Sequence, residues 1–233
     1  MSGVAFRAFH DRDALALTLA AEVADALRAD IAAEGAATLA VSGGSTPKRL
    51  FHALSKTELN WDAVTVTLVD ERWVPDTDER SNARLVKEHL LKNAAARARF
   101  TPLYTDAASP EGALPAVQES VAGLAARLTA AVLGMGEDGH TASFFPHGDR
   151  LEDAIDPTGK ALVMPMRAPA AIEPRITFTL PVLLAAKKLT LHIEGDGKKT
   201  VLAAALAGED PLAMPIRAVI QHAPEPLEVV WAP

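Results

Sequence analysis

Apolar and polar positions along the chain alternate between two periods, one suited to short buried strands and one to amphipathic helices. Leu15, Leu19, Val23, Leu27 and Ile31 recur every four residues with charged positions between them, which predicts a helix resting one face on a sheet. "ATLAVSG" (residues 37–43) is a continuous apolar run and predicts a strand covered on both faces. "PKRLFHALSK" returns to helical spacing, with Pro47 in the first turn, where an N–H would have no helical partner. The β-branched run "AVTVTLVDE" (residues 63–71) predicts a second strand, and "SNARLVKEHLLKN" a helix capped by Ser81. A long helix is expected over residues 115–128 and a third strand over 129–136. "ALVMP", "RITFTL", "LTLHIEG" and "LEVVWA" are further strand candidates, and "KKTVLAAALAG" is a helix stopped by Gly208.

Strands and helices alternate throughout, and no linker or repeat interrupts them. The expectation is one domain over residues 1–233, an α/β fold with a doubly wound, mainly parallel sheet and helices on both faces. Ligands of such sheets bind beyond the carboxyl ends of the strands. Three unusual stretches fall at those ends, residues 43–46, 70–75 and 134–140.

Composition narrows the function. With 49% hydrophobic and 23% charged residues the chain can build its own core, and aromatics at 5% leave that core to small aliphatics. The net charge of −7 and the lack of a basic tail argue against nucleic acid as a partner. Without cysteine there is no disulfide, thiolate zinc site or cysteine nucleophile, as suits a reducing compartment. "ALALTLAA" (residues 14–21) imitates the apolar stretch of a signal peptide. It is too short to span a bilayer, and Asp11, Asp13, Glu22 and Asp25 flank it. A cytoplasmic protein with no membrane partner is expected.

The glycine loop in "VSGGSTPKRL" admits two readings. Gly43, Gly44, Ser45 and Thr46 make a tight turn from strand to helix, or they let an anion approach the free amides of a helix start. "VDERWVP" puts Asp70 and Arg72 after an apolar strand, either as a charged surface end or as a carboxylate and a guanidinium entering one crevice. In "LGMGEDGHTASFFP", Gly134, Gly136 and Gly139 match the dinucleotide pattern only formally. Glu137 and Asp138 occupy the space a pyrophosphate needs, and Pro146 truncates any following helix. The alternatives are a structural turn, or glycines that present Asp138 and His140 at a strand end. In the second case His140 opens a short helix, whose positive end keeps the imidazole neutral and able to accept a proton. His147 lies near, but no H-x-H or H-x-x-x-H spacing exists, so no metal site is expected. Arg175 before "ITFTL" and Lys198 after "GDG" are basic positions that favour the anion reading of the loop.

"SGGSTP", "VDERWVP", "SNARLVKEHLL", "LGMGEDGHTASFFP", "PRITFTLP" and "GDGK", in this order, resemble the glucosamine-6-phosphate isomerase/6-phosphogluconolactonase family, and within it the lactonases of the pentose phosphate pathway. The resemblance runs from about Leu39 to Trp231. The deaminase branch usually carries Asp-Glu-Tyr where this chain has Asp70-Glu71-Arg72. The resemblance implies a deaminase-like doubly wound fold, a phosphosugar lactone as substrate and no cofactor. It places the phosphate loop on Gly43, Gly44, Ser45 and Thr46, substrate contacts on Asp70 and Arg72, and the catalytic base on His140 beside Asp138. Arg175 and Lys198 match basic positions of the wider family, with Lys199 a rival for Lys198. Asp138 or Asp70 orients His140 or the sugar hydroxyls. Phe145 stands where Leu is commoner, and Ala83 where an aromatic is usual. Two other readings are an amino-sugar-phosphate isomerase or deaminase, and a non-catalytic sugar-phosphate sensor.

Overall fold

Seven parallel strands make the central sheet of the computed structural model, which describes residues 3–233. In chain order these are β1 (Val4–Ala8), β2 (Ala37–Val41) and β3 (Val64–Leu68), then β5 (Arg99–Phe100), β6 (Ala130–Leu133), β9 (Lys188–Glu194) and β10 (Leu227–Ala232). The strands between them, β4 (Asp70–Arg72), β7 (Val163–Met166) and β8 (Arg175–Phe178), form a second sheet that is antiparallel. The lateral order of the large sheet is β1-β10-β9-β6-β2-β3-β5, and that of the small one β4-β8-β7.

Eight α-helices connect the strands among the described residues: α1 (Arg12–Glu34), α2 (Lys48–Ser55), α3 (Asn82–His89), α4 (Pro110–Ala125), α5 (Leu151–Ile155), α6 (Leu180–Leu184), α7 (Asp196–Leu206) and α8 (Ile216–His222). The four-residue period of α1 does what it predicts. Leu15, Leu19, Val23 and Leu27 are fully buried, each contributing roughly 1.5–3 kcal/mol. Asp11 caps the helix by accepting from the Ala14 amide at 2.7 Å, and Gly35 ends it in the left-handed region at φ 76°. β2 is buried at every position, as its unbroken apolar run requires.

The mainly parallel α/β architecture stands, with three local departures. The run over residues 63–71 is two strands rather than one. Val69 is the junction, donating to Val41 of the large sheet at 3.0 Å and accepting from Phe178 of the small sheet at 2.8 Å. "ALVMP" and "RITFTL" give β7 and β8, so they extend the small sheet instead of the parallel one. The helix expected over 115–128 starts earlier, where Ser109 accepts from the Gly112 amide and Pro110 occupies the first turn. Pro115 lies inside that helix and does not begin it. Among the described residues no helix is long and apolar enough to cross a membrane.

Candidate active site

β2 and β6 lie side by side at the middle of the large sheet, with Val41 opposite Val132. From β2 the chain proceeds outward through β3, whereas β6 leads to β9 on the other side. Such a reversal leaves a crevice beyond the carboxyl ends of the two strands. The glycine loop leaves β2 there and the Gly134–His140 segment leaves β6. Together they border a cavity of about 240 Å³.

The loop is shaped by contact as well as by turn geometry. A Cβ on Gly43 would fall 1.8 Å from Asn82 Oδ1, so only glycine fits against the start of α3. Gly44 has φ 89°, which disfavours any side chain. No side chain caps the first turn of α2, and Ser45 and Thr46 line the cavity just before it.

The small sheet forms another wall. Side chains alternate along a strand, and directly paired residues share a face. Asp70 pairs with Thr177 and Arg72 with Arg175, which puts these four on one face and Glu71 on the other. Asp70 accepts from Ser143 Oγ at 2.6 Å and lines the cavity beside Arg72. The Arg72 guanidinium donates to the Arg80 carbonyl, while its buried Nε has no hydrogen bond. Arg175 shares this face without lining the cavity, its guanidinium 5.6 Å from the centre of the Phe145 ring and 3.7 Å from Glu173. Burial holds its pKa below the usual arginine value, although Asp70 opposes that shift.

Glu71 faces away from the cavity and is fully buried. It accepts from the amides of Arg72, Asn82 and Ala83 and from the Ser81 hydroxyl at 2.7–3.1 Å, anchoring β4 to the start of α3. Burial pushes its carboxyl up to about 7 even though the three amides pull it down.

His140 is positioned by its own segment. Its Nδ1 lies 2.6 Å from Asp138 Oδ1, which also accepts from the His140 amide at 3.1 Å. Burial raises the Asp138 pKa, but the ring and amide of His140 outweigh it and hold the carboxyl below its usual range. A carboxylate at Nδ1 fixes the ring proton there and leaves Nε2 as an acceptor. A Cβ on Gly136 would lie 2.1 Å from Nδ1, so the ring occupies the space that glycine vacates. The ring rests on Phe145 with centroids 4.4 Å apart.

The short helix expected to open at His140 does not form. Residues 141–144 make a tight turn closed by a Thr141–Phe144 bridge, with Ala142 at φ 49°. Asp138, and not a helix terminus, is what orients the imidazole.

Eight of the predicted residues therefore meet at one cavity: Gly43, Gly44, Ser45, Thr46, Asp70, Arg72, His140 and Lys198. Asp138 supports His140 through Nδ1, and Arg175 shares the face of Asp70 and Arg72 but does not line the cavity. Lys199 points elsewhere, its ammonium 4.2 Å from the centre of the Trp231 ring. Three contributors escaped the sequence reading. Asn82 lines the cavity and donates to the Asp70 carbonyl at 2.9 Å. Ser143 holds Asp70, and His192 lines the cavity from β9. Asn82 and Ser143 lie within the quoted motifs, whose polar residues before a helix and after the histidine were the available signal. A histidine in the apolar run of β9 was the signal for the third. Among the described residues no cluster of three His, Cys, Asp or Glu could hold a metal ion.

Comparison with known proteins identifies the family and the fold. The family model described as glucosamine-6-phosphate isomerases/6-phosphogluconolactonase matches residues 10–231. A 6-phosphogluconolactonase of Rhizobium meliloti is 56% identical over 225 residues, 97% of each chain. One of Mesorhizobium japonicum is 49% identical, over 98% of this chain and 95% of its own. The crystal structure of a 6-phosphogluconolactonase from Shewanella baltica superposes with a TM-score of 0.95 at 39% identity, covering 99% of this chain and 98% of that one.

Proposed function

Because the chain belongs to the glucosamine-6-phosphate isomerase/6-phosphogluconolactonase family, we propose that it hydrolyses 6-phospho-D-glucono-1,5-lactone to 6-phosphogluconate, a step of the pentose phosphate pathway, with His140 as general base. The observation that carries this reading is the imidazole braced by Asp138 at 2.6 Å and opening on the same cavity as the glycine loop and Lys198.

The glycine loop and Lys198 hold the 6-phosphate, which fixes the sugar at a distance from the reacting bond. Nε2 of His140 takes a proton from water as the water oxygen attacks the lactone carbonyl carbon. The carbonyl oxygen becomes an oxyanion, with Arg72 beside it as a donor. Collapse of this intermediate breaks the bond to the ring oxygen, and the ring oxygen recovers the proton from His140. Asp138 keeps the imidazole in one tautomer and balances its charge while it holds the proton. Asp70, itself fixed by Ser143, faces the sugar hydroxyls.

The test is to supply the purified protein with the lactone and with glucosamine 6-phosphate, following acid release and ammonia separately. Lactone hydrolysis well above the uncatalysed blank, with no ammonia, is expected. Ammonia release without lactone hydrolysis would make the protein a deaminase, and neither activity would make it a sensor.

A further inference from the structure

A second histidine reaches the cavity without a role in the reaction above. β9 is the neighbour of β6 and Leu191 pairs with Leu133, so His192 stands one residue beyond the end of β6, at the level where the glycine-rich segment begins. His192 is only 2% exposed, and neither of its ring nitrogens has a hydrogen bond. Buried polar groups almost always have partners, and an orphan of this kind at a cavity wall is a group prepared for a ligand. Its Nε2 lies 3.4 Å from Glu194 Oε1, an oxygen that also lacks a hydrogen bond. The other Glu194 oxygen faces Arg12 at 3.4 Å and Arg49 at 4.0 Å. A line of charge thus runs from two helix arginines through Glu194 to the imidazole.

We propose that His192 is a further phosphate-binding residue, with Nε2–H directed at Glu194 and Nδ1 meeting a phosphate oxygen. The inference rests on the reading of the cavity as a sugar-phosphate site. A neutral ring with its proton on Nε2 offers the phosphate only a lone pair, which repels it. The ring binds the anion once Nδ1 takes up a proton from solvent. Glu194 on its own strand favours that proton. Lys198 of α7, Arg12 of α1, Arg49 of α2 and His140 after β6 disfavour it in the empty site. An arriving dianion reverses the balance, so ligand binding and proton uptake are coupled.

The experiment is titration calorimetry of the full chain with 6-phosphogluconate near pH 8, where a phosphate monoester is already a dianion, in buffers of different ionisation heat. The wild type should take up a substantial fraction of a proton. His192→Gln, which keeps a donor but cannot be protonated, should take up none and bind roughly 10- to 100-fold more weakly, the range of a charge-assisted hydrogen bond. His140→Asn should retain the uptake. Carbon-bound proton resonances of His192 in the wild type should move to the imidazolium position when 6-phosphogluconate is added, a reading that needs no variant. Unchanged uptake in His192→Gln, loss of uptake in His140→Asn, or a His192 resonance that does not move would each overturn the proposal. If the wild type binds 6-phosphogluconate with no proton uptake, this inference fails alone. If it binds none and hydrolyses no lactone, the functional reading fails with it.

Discussion

His140 and Asp138 are two residues apart in sequence, and Gly136 before them and Gly139 between them, at φ 78°, let the chain fold back until they touch. Such a pair is legible because both partners and the means of joining them lie in one short segment. His140→Ala should lower kcat/KM for the lactone by about 10²–10⁴, the range for a lost general base, with unchanged circular dichroism; near-wild-type turnover in a folded variant would refute its role. Lys198 and Lys199 show how adjacent residues part company. Lys198 lines the cavity, whereas Lys199 rests on Trp231. Lys198→Ala should weaken 6-phosphogluconate binding by about ten-fold or more, whereas Lys199→Ala should lose about 0.5–1 kcal/mol of stability and little affinity. Calorimetry and thermal melting separate the two. The sequence favoured Lys198 by its place after "GDG" and by resemblance, and neither removed Lys199, since a helix start exposes both ammonium groups to any direction. His192 was hidden for a different reason: in an apolar strand nothing local tells which face meets a cavity.

β4 is three residues long, yet it presents Asp70 and Arg72 to the cavity and Glu71 to α3. Period-two alternation does all of this, and it was available in the letters "DER". What the letters could not show is that the chain changes sheets at Val69, because an apolar run looks the same whether its partners are parallel or antiparallel. The same limit applies to β7 and β8, whose orientation is fixed by pairing with β4 across a hundred residues. The anchoring of β4 by Glu71 has a pH signature. Its carboxyl titrates near 7 in the fold against a usual value of 4.5. The folded state therefore binds the proton more tightly, and this contribution to stability is complete below about pH 4.5 and is lost as pH rises through about 7. Over that window the loss amounts to a few kcal/mol, at about 1.4 kcal/mol per pKa unit. Denaturant unfolding of the wild type and of Glu71→Gln across this range should show a falling difference between them. A constant difference would mean that Glu71 is ionised throughout.

Over the whole molecule, alternation of strand and helix disclosed the parallel sheet. The lateral order that makes β2 and β6 neighbours depends on packing between distant segments and had no local signal. The site could still be anticipated, because reversals in such sheets always open at strand carboxyl ends. The two sheets differ in what holds them. The large one buries aliphatic side chains from both sides, whereas the small one sets Arg72 directly across from Arg175. Like charges facing each other across a ladder loosen it, and Asp70 on the same face offsets only part of their repulsion. The small sheet should thus be the part of the protein that breathes most readily when empty, and an anion in the cavity should act on it as a fastening. Amide hydrogen exchange should slow in β4 and β8 on adding 6-phosphogluconate, with β9 and β10 little changed. Equal protection of both sheets would mean that they open together. If the small sheet alone is quieted, product departure and the loosening of that wall are one event, and the facing pair of arginines in β4 and β8 sets how soon the wall gives way.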